Sequence, residues 1–178
     1  MPEKENMKNN IILIGMPGAG KSTVGVVLAK SLGFGFIDTD ILLGMQIGMT
    51  LQELIDTRGI DAFLEEEERA VLGLDCDRTV VATGGSVVLS EAVMKRLKDG
   101  STIVFLDVPL AELLARLRNF KTRGIALRPG QSIGDVYRER LPLYRRYADI
   151  TVPDPSSGAA DLESTVADII IKLGGSRG

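Results

Sequence analysis

A chain of 178 residues is long enough for one domain that buries roughly 70% of the surface its unfolded form exposes. Hydrophobic residues at 44% and charged residues at 25% are ordinary globular composition, and with no His, no Trp and a single Cys, Cys76, the chain is barred from triad or Cys–His catalysis, His-ligated zinc or haem, intrachain disulfides and CxxC knuckles. A net charge of −3, a polar tail over residues 1–10 and no apolar run near the roughly 20 residues of a membrane span lead us to expect a cytoplasmic protein that engages neither nucleic acid nor membrane.

In chain order, the β-branched run Ile11–Ile14 predicts a strand, and Gly15–Gly20 a glycine-rich turn. Val24, Val27, Leu28 and Leu32 recur at helical spacing, so a helix is expected over Lys21–Leu32, stopped by Gly33. Phe34–Ile37 predicts a second strand running into Asp38-Thr39-Asp40. Two helices should follow, the first opened by a capping box of Thr50 and Glu53, the second spanning about Ile60–Leu74. Thr79–Ala82 is a third strand, ending at Thr83-Gly84-Gly85. Ser90 caps a helix to Lys98, Thr102–Leu106 is a fourth strand, and Pro109 suits the first turn of a helix to about Asn119. Lys121–Gln131 is irregular and rich in Arg, Lys and Gly, as lids and binding loops are. Ser132 and Asp135 open a helix to about Tyr147, Asp149–Val152 is a fifth strand, and Asp161–Leu173 a terminal helix. Strands alternating with helices imply a parallel sheet covered on both faces, a three-layer α/β/α sandwich, in a single domain over residues 1–178.

The segment Gly15-Met16-Pro17-Gly18-Ala19-Gly20-Lys21-Ser22 fits GxxxxGK[ST] between a strand and an amphipathic helix, with Thr23 following. Glycines let backbone N–H groups converge on phosphate oxygens, and the helix N-terminus adds positive potential. Gly15, Pro17, Gly18, Ala19, Gly20, Lys21, Ser22 and Thr23 are therefore candidate ATP-binding residues. Lys21 would neutralise the β- and γ-phosphates, and the Ser22 hydroxyl would join a Mg²⁺ shell. Asp38 and Asp40 end the second strand, where a doubly wound sheet turns toward the same crevice. Strand alternation would put both on one face, with Thr39 opposite, to hold the metal's water shell and orient an acceptor hydroxyl. Phosphoryl transfer asks for positioning and electrostatics more than for a strong base, so the missing His is no obstacle.

The loop GMPGAGKST, the spacing to FIDTD, the later ATGGSVV, and RLPLYRRYAD near the C-terminus together resemble the shikimate kinase family, from about Ile11 to Val152. The P-loop alone is shared with many kinases; the DTD, TGG and RxPLY combination is far more specific. The resemblance implies a P-loop fold with a five-stranded parallel sheet and a mobile lid at about residues 121–131, ATP as co-substrate, Mg²⁺ as cofactor, and shikimate or another small hydroxylated carboxylic acid as acceptor. It implies that Lys21, Asp38 and Arg123 are catalytic, with Ser22 and Asp38 at the metal. Asp40, Gly84, Gly85 and Arg140 would hold the substrate, Arg140 taking its carboxylate with a planar guanidinium. Arg116 matches an adenine-stacking arginine and Arg123 the lid arginine that closes over the phosphates. A monomer is expected.

Three positions depart from the family pattern. Leu64 stands after Phe63 where the family has a carboxylate-binding Arg, Ser86 replaces the third glycine of GGG, and the lid reads Arg123-Gly124-Ile125-Ala126 in place of Arg-Pro and leucines. The run Glu65–Glu68 after Leu64 reads mostly as a solvated helix face. Arg58 and Arg69 are the candidates to supply the lost cation, although neither occupies the matching position. A missing charged donor costs about 1.5–3 kcal/mol, or roughly ten- to a hundredfold in affinity. The same chemistry on a different hydroxylated acceptor is therefore a standing alternative. A nucleotide-binding regulatory module without turnover would have little use for Lys21, Ser22, Asp38, Asp40 and Arg123 together.

Overall fold

The computed structural model describes residues 9–118, 125–153 and 162–175. Five strands, β1 (Asn10–Ile14), β2 (Gly35–Asp38), β3 (Thr79–Ala82), β4 (Ser101–Asp107) and β5 (Ile150–Pro153), form a parallel sheet in the order β2-β3-β1-β4-β5. Consecutive residues Ile11, Ile12, Leu13 and Ile14 are all buried, so β1 is covered on both faces of the sheet. Register follows from these apolar runs: Leu13 lies beside Ala82 on one flank and Val104 on the other. The strand exits of β1, β2 and β3 consequently open on one edge.

The helices are α1 (Lys21–Leu32), α2 (Thr39–Ile47), α3 (Leu51–Leu72), α4 (Glu91–Lys98), α5 (Leu110–Arg118), α6 (Ile133–Tyr147) and α7 (Leu162–Gly175). A 3₁₀ turn, Val87–Leu89, precedes α4. Thr50 and Glu53 form the expected capping box, as do Ser132 and Asp135 at α6. Gly59, at φ +85°, breaks α3 into the two helical pieces foreseen around Ile60.

One expectation fails. Strand β2 ends at Asp38, which pairs with Ala82, and Thr39 and Asp40 begin α2, so strand alternation does not place the two carboxylates. Asp38 is the N-cap of α2, its Oδ1 accepting from Asp40 N at 3.0 Å and Ile41 N at 3.2 Å, and Asp40 stands in the first helical turn. A short polar side chain at a strand end satisfies orphan helix N–H groups better than it extends a ladder. Helix α2 itself was not foreseen, because Gly44 and Gly48 obscure its period.

A main apolar cluster surrounds the sheet, and a smaller one, with Leu43, Leu54, Phe63, Ala70 and Ala126, lies under α2 and α3. The second cluster is the platform for one wall of the cleft described below. Helix α6 carries Arg140 and Tyr144, and its start depends on the Ser132–Asp135 box. Ser132→Ala should lower stability by about 1 kcal/mol in urea unfolding, and an unchanged midpoint would show that the cap contributes nothing.

Candidate active site

The exits of β1, β2 and β3 border a cavity of about 410 Å³. One end is the loop between β1 and α1. Gly18 (φ +84°) and Gly20 (φ +91°) adopt the left-handed backbone that a loop turning its amides inward requires. Pro17, Gly18, Gly20, Lys21, Ser22 and Thr23 line the cavity. Gly15 and Ala19 do not line it; they are packed beneath the loop. Lys21 is buried, its Nζ donating to the carbonyls of Gly15 at 2.7 Å and Met16 at 2.8 Å, so the ammonium is held beneath the crest of the loop. Arg116, on α5, approaches the same loop from outside the cavity. Its Nη1 donates to the carbonyls of Gly18 and Ala19 at 3.4 and 3.5 Å, while Nε pairs with Glu112.

The Ser22 hydroxyl donates to Asp38 Oδ2 at 2.5 Å. That bond joins the first turn of α1 to the cap of α2, so the phosphate loop and the Asp38/Asp40 pair form one continuous rim. Among the described residues no three acidic or Cys side chains converge on a metal. A hydroxyl beside a carboxylate is nonetheless the oxygen-donor set that Mg²⁺ takes when nucleotide phosphates supply the rest of its shell.

The far end of the cavity is built by α3, the β3 exit and α6. Thr83 donates from both N and Oγ1 to the carbonyl of Leu13, at 3.2 and 2.9 Å, and Gly84 N donates to Thr39 Oγ1 at 3.1 Å. These bonds fix the Gly84-Gly85 backbone against α2. A Cβ at Gly84 would overlap Glu67 Oε1 and lie 2.9 Å from Asp40 Oδ1, so any side chain there would displace both carboxylates. Arg140 is 3% exposed, with Nη2 donating to the carbonyl of Ala126 at 3.4 Å and Nε without a partner. One helical turn later, Tyr144 OH donates to the Gly85 carbonyl at 2.5 Å and its ring stacks on Phe105.

Sequence reading missed Glu67. It belongs to the acidic run taken as solvated, yet it is 4% exposed and lines the cavity. Glu65 is exposed and Glu66 binds Arg69, so the solvated reading holds for those neighbours. A signal was present: Phe63, Glu67, Ala70 and Val71 share one face at helical spacing, and the other three are buried. Ser86 donates to Glu67 Oε2, while Glu67 Oε1 has no partner. Burial pushes the Glu67 carboxyl up to about 7; the Ser86 bond lowers it, the nearby Asp40 charge raises it, and the Arg140 and Lys21 charges lower it.

The remaining sequence candidates fall as follows. Asp38, Asp40, Gly84, Gly85 and Arg140 all line the cavity. Leu64 does not; with Glu67, Ser86, Val87 and Val93 it borders a neighbouring cavity of about 180 Å³ on the other side of the Glu67–Ser86 pair. Arg69 pairs with Glu66 on the surface and Arg58 is exposed, so neither brings a cation into the cleft. Arg123 and the lid residues up to Gly124 lie outside the described residues; Ile125 and Ala126 line the cleft.

A sequence model described as shikimate kinase matches residues 17–173. The chain is 33% identical over 175 residues to shikimate kinase of Haemophilus influenzae, covering 96% of this chain and 97% of that one. It is 39% identical over 164 residues to human threonine synthase-like 1, covering 91% of this chain and 22% of that longer protein. Among solved structures, shikimate kinase from Acinetobacter baumannii in complex with shikimate superposes with a TM-score of 0.80 at 29% identity, covering 97% of this chain and 96% of that one.

The raised Glu67 carboxyl has a consequence for stability. Its ordinary value is 4.5 and the folded value about 7, so the folded state holds the proton more tightly. The stability this contributes is complete below about 4.5 and is lost as pH rises through about 7. Glu67→Gln, which cannot ionise, should therefore gain on the parent protein between pH 5 and pH 8 by about 2 kcal/mol, roughly 4–8 °C in Tm. Parallel Tm profiles for the two proteins would show that Glu67 is not perturbed.

Proposed function

This chain belongs to the shikimate kinase family, and we propose that it moves the γ-phosphoryl group of ATP to a hydroxyl of shikimate, giving ADP and shikimate 3-phosphate. The observation that carries this reading is the Ser22–Asp38 bond, which sets the phosphate loop and the acceptor carboxylates a hydrogen bond apart at the centre of one cleft. In-line transfer needs the two substrates oriented within such a distance, with little covalent work left to the protein.

On this reading the loop amides and the α1 N-terminus hold the phosphates, and Lys21 meets the β- and γ-oxygens from its seat under the loop. Ser22 and Asp38 would hold Mg²⁺, which when bound would neutralise charge on the phosphate oxygens. Arg116 flanks the adenine side, and Arg123 closes over the phosphates from the lid. Asp40 accepts from the hydroxyls of the acceptor, the Gly84-Gly85 backbone lies under its ring, and Arg140 takes its carboxylate through the unpartnered Nε. The attacking hydroxyl oxygen bonds to the γ-phosphorus as the bond to the β–γ bridging oxygen breaks. Its proton passes to the Asp38/Asp40 pair, and ADP departs with the bridging oxygen. Lys21 and Arg123 stabilise the charge that spreads over the equatorial oxygens. The biological setting we assign is cytoplasmic aromatic amino-acid biosynthesis, with the protein acting as a monomer.

A second reading keeps the chemistry and changes the acceptor to another hydroxylated acid. It is favoured by Leu64, which leaves Arg140 as the only arginine lining the cleft among the described residues.

A coupled ADP-release assay decides between them. Turnover is expected with Mg²⁺–ATP and shikimate, with none after EDTA treatment, and Lys21→Ala should cut kcat by about 10²–10³-fold. Turnover only with another hydroxylated acid would select the second reading; tight ATP binding with no turnover on any acceptor would defeat both. Leu64→Arg should lower the shikimate KM about tenfold or more, and an unchanged KM would show that the lost cation is not what limits affinity.

A further inference from the structure

The acceptor end contains a polar pair that the phosphoryl-transfer reading leaves without a task. Ser86 is 5% exposed and donates to Oε2 of Glu67, itself 4% exposed. The other carboxyl oxygen, Oε1, is packed beside Gly84, close to Asp40, and no group among the described residues satisfies it. A buried carboxyl oxygen without a donor is costly, and a cleft that keeps one is poised for a donor brought by its ligand. Leu64, the neighbour that could have carried a cation to this end, faces the side cavity instead. The polar character of the wall between the two cavities therefore comes from Glu67 and Ser86, which border both.

We propose that Ser86 is a positioning residue for acceptor binding: its hydroxyl fixes Glu67 through Oε2, so that Oε1 takes a hydrogen bond from a hydroxyl of the acceptor beside Asp40. This rests on the reading of the cleft as the seat of a hydroxylated acceptor. A carboxylate accepts that bond better than a carboxyl group. The charged groups facing Glu67 are Asp40 from α2, Arg140 from α6 and Lys21 from α1, and Ser86 is its neutral donor. Acceptor binding should accordingly tighten as pH rises through the titration of Glu67. Without Ser86 that titration moves to higher pH, because a hydrogen bond favouring the charged form is gone.

The test uses Ser86→Ala, Ser86→Thr, Glu67→Gln and the double variant in the full chain. Ser86→Ala should raise the acceptor KM about tenfold near pH 7, leave kcat and the ATP KM within about twofold, and shift the pH midpoint of the acceptor KM upward. Ser86→Thr should restore the KM, the side cavity giving its methyl room. In the Glu67→Gln background, Ser86→Ala should add nothing further. Equal effects in both backgrounds, or an unmoved pH midpoint, would overturn the proposal. If no acceptor turns over, the failure lies with the functional reading. The pair is then tested in the protein alone, by following the Glu67 side-chain carboxyl through a ¹³C NMR pH titration. Its midpoint should rise in Ser86→Ala and return in Ser86→Thr, and coincident titrations would refute the positioning role.

Discussion

The carbonyl of Leu13 is the point on which the cleft hangs. It is the last but one of β1, and Thr83 donates to it from both its amide and its hydroxyl. Two bonds to one buried acceptor fix where β3 ends relative to β1, and hence where Gly84-Gly85 lies relative to the phosphate loop. The consequences pass outward. Gly84 N reaches Thr39 in the first turn of α2, whose cap Asp38 is bound to Ser22 at the start of α1. Gly85 receives Tyr144 from α6 through its carbonyl. The phosphate loop, the Asp38/Asp40 pair, Gly84-Gly85 and the helix bearing Arg140 are thereby linked by consecutive hydrogen bonds. Reacting atoms must be held to within a fraction of an ångström, and a closed circuit of this kind achieves that better than separate loops.

The circuit encloses charge that is costly to keep. Lys21, Glu67 and Arg140 are all buried, and two of their polar atoms, Glu67 Oε1 and Arg140 Nε, lack partners. Buried charges taken singly cost more than their mutual attraction returns. The unfilled atoms sit at the acceptor end, one an acceptor and the other a donor. A ligand bearing both a hydroxyl and a carboxylate complements that pair, and a purely cationic or purely apolar one does not. A ligand that partners both atoms gains hydrogen bonds that the protein's own groups do not make, a common origin of the trade between stability and function.

The fold was legible because its signals are local. β-branched runs, Gly33 and the Thr50 and Ser132 capping boxes each act within a few residues. The phosphate loop was equally legible, since its chemistry is contiguous. What escaped depended on partners far along the chain. Asp40 looked like a continuation of the strand, but the strand stops at Asp38, which caps the amides of Asp40 and Ile41 at the start of α2. Glu67 looked solvated because three other glutamates surround it, although its helical spacing from Phe63, Ala70 and Val71 sets it on the buried face that Glu65 does not share. Arg140 could be named from the RxPLY resemblance, but not its burial or its free Nε, which depend on Ala126 and the chain around it.

The same reasoning bears on the departures from the family pattern. Leu64 and Ser86 are 22 positions apart in sequence, yet both border the small cavity behind Glu67. Read singly, one is a lost cation and the other a lost glycine. Read together, they are changes on the two sides of one buried carboxyl. Burial raises the Glu67 titration, and the Ser86 bond, with the Arg140 and Lys21 charges, opposes it. Burial prevails, so the carboxyl titrates at about 7 rather than in its ordinary range. This end of the cleft therefore carries a group whose charge depends on pH and on what binds beside it.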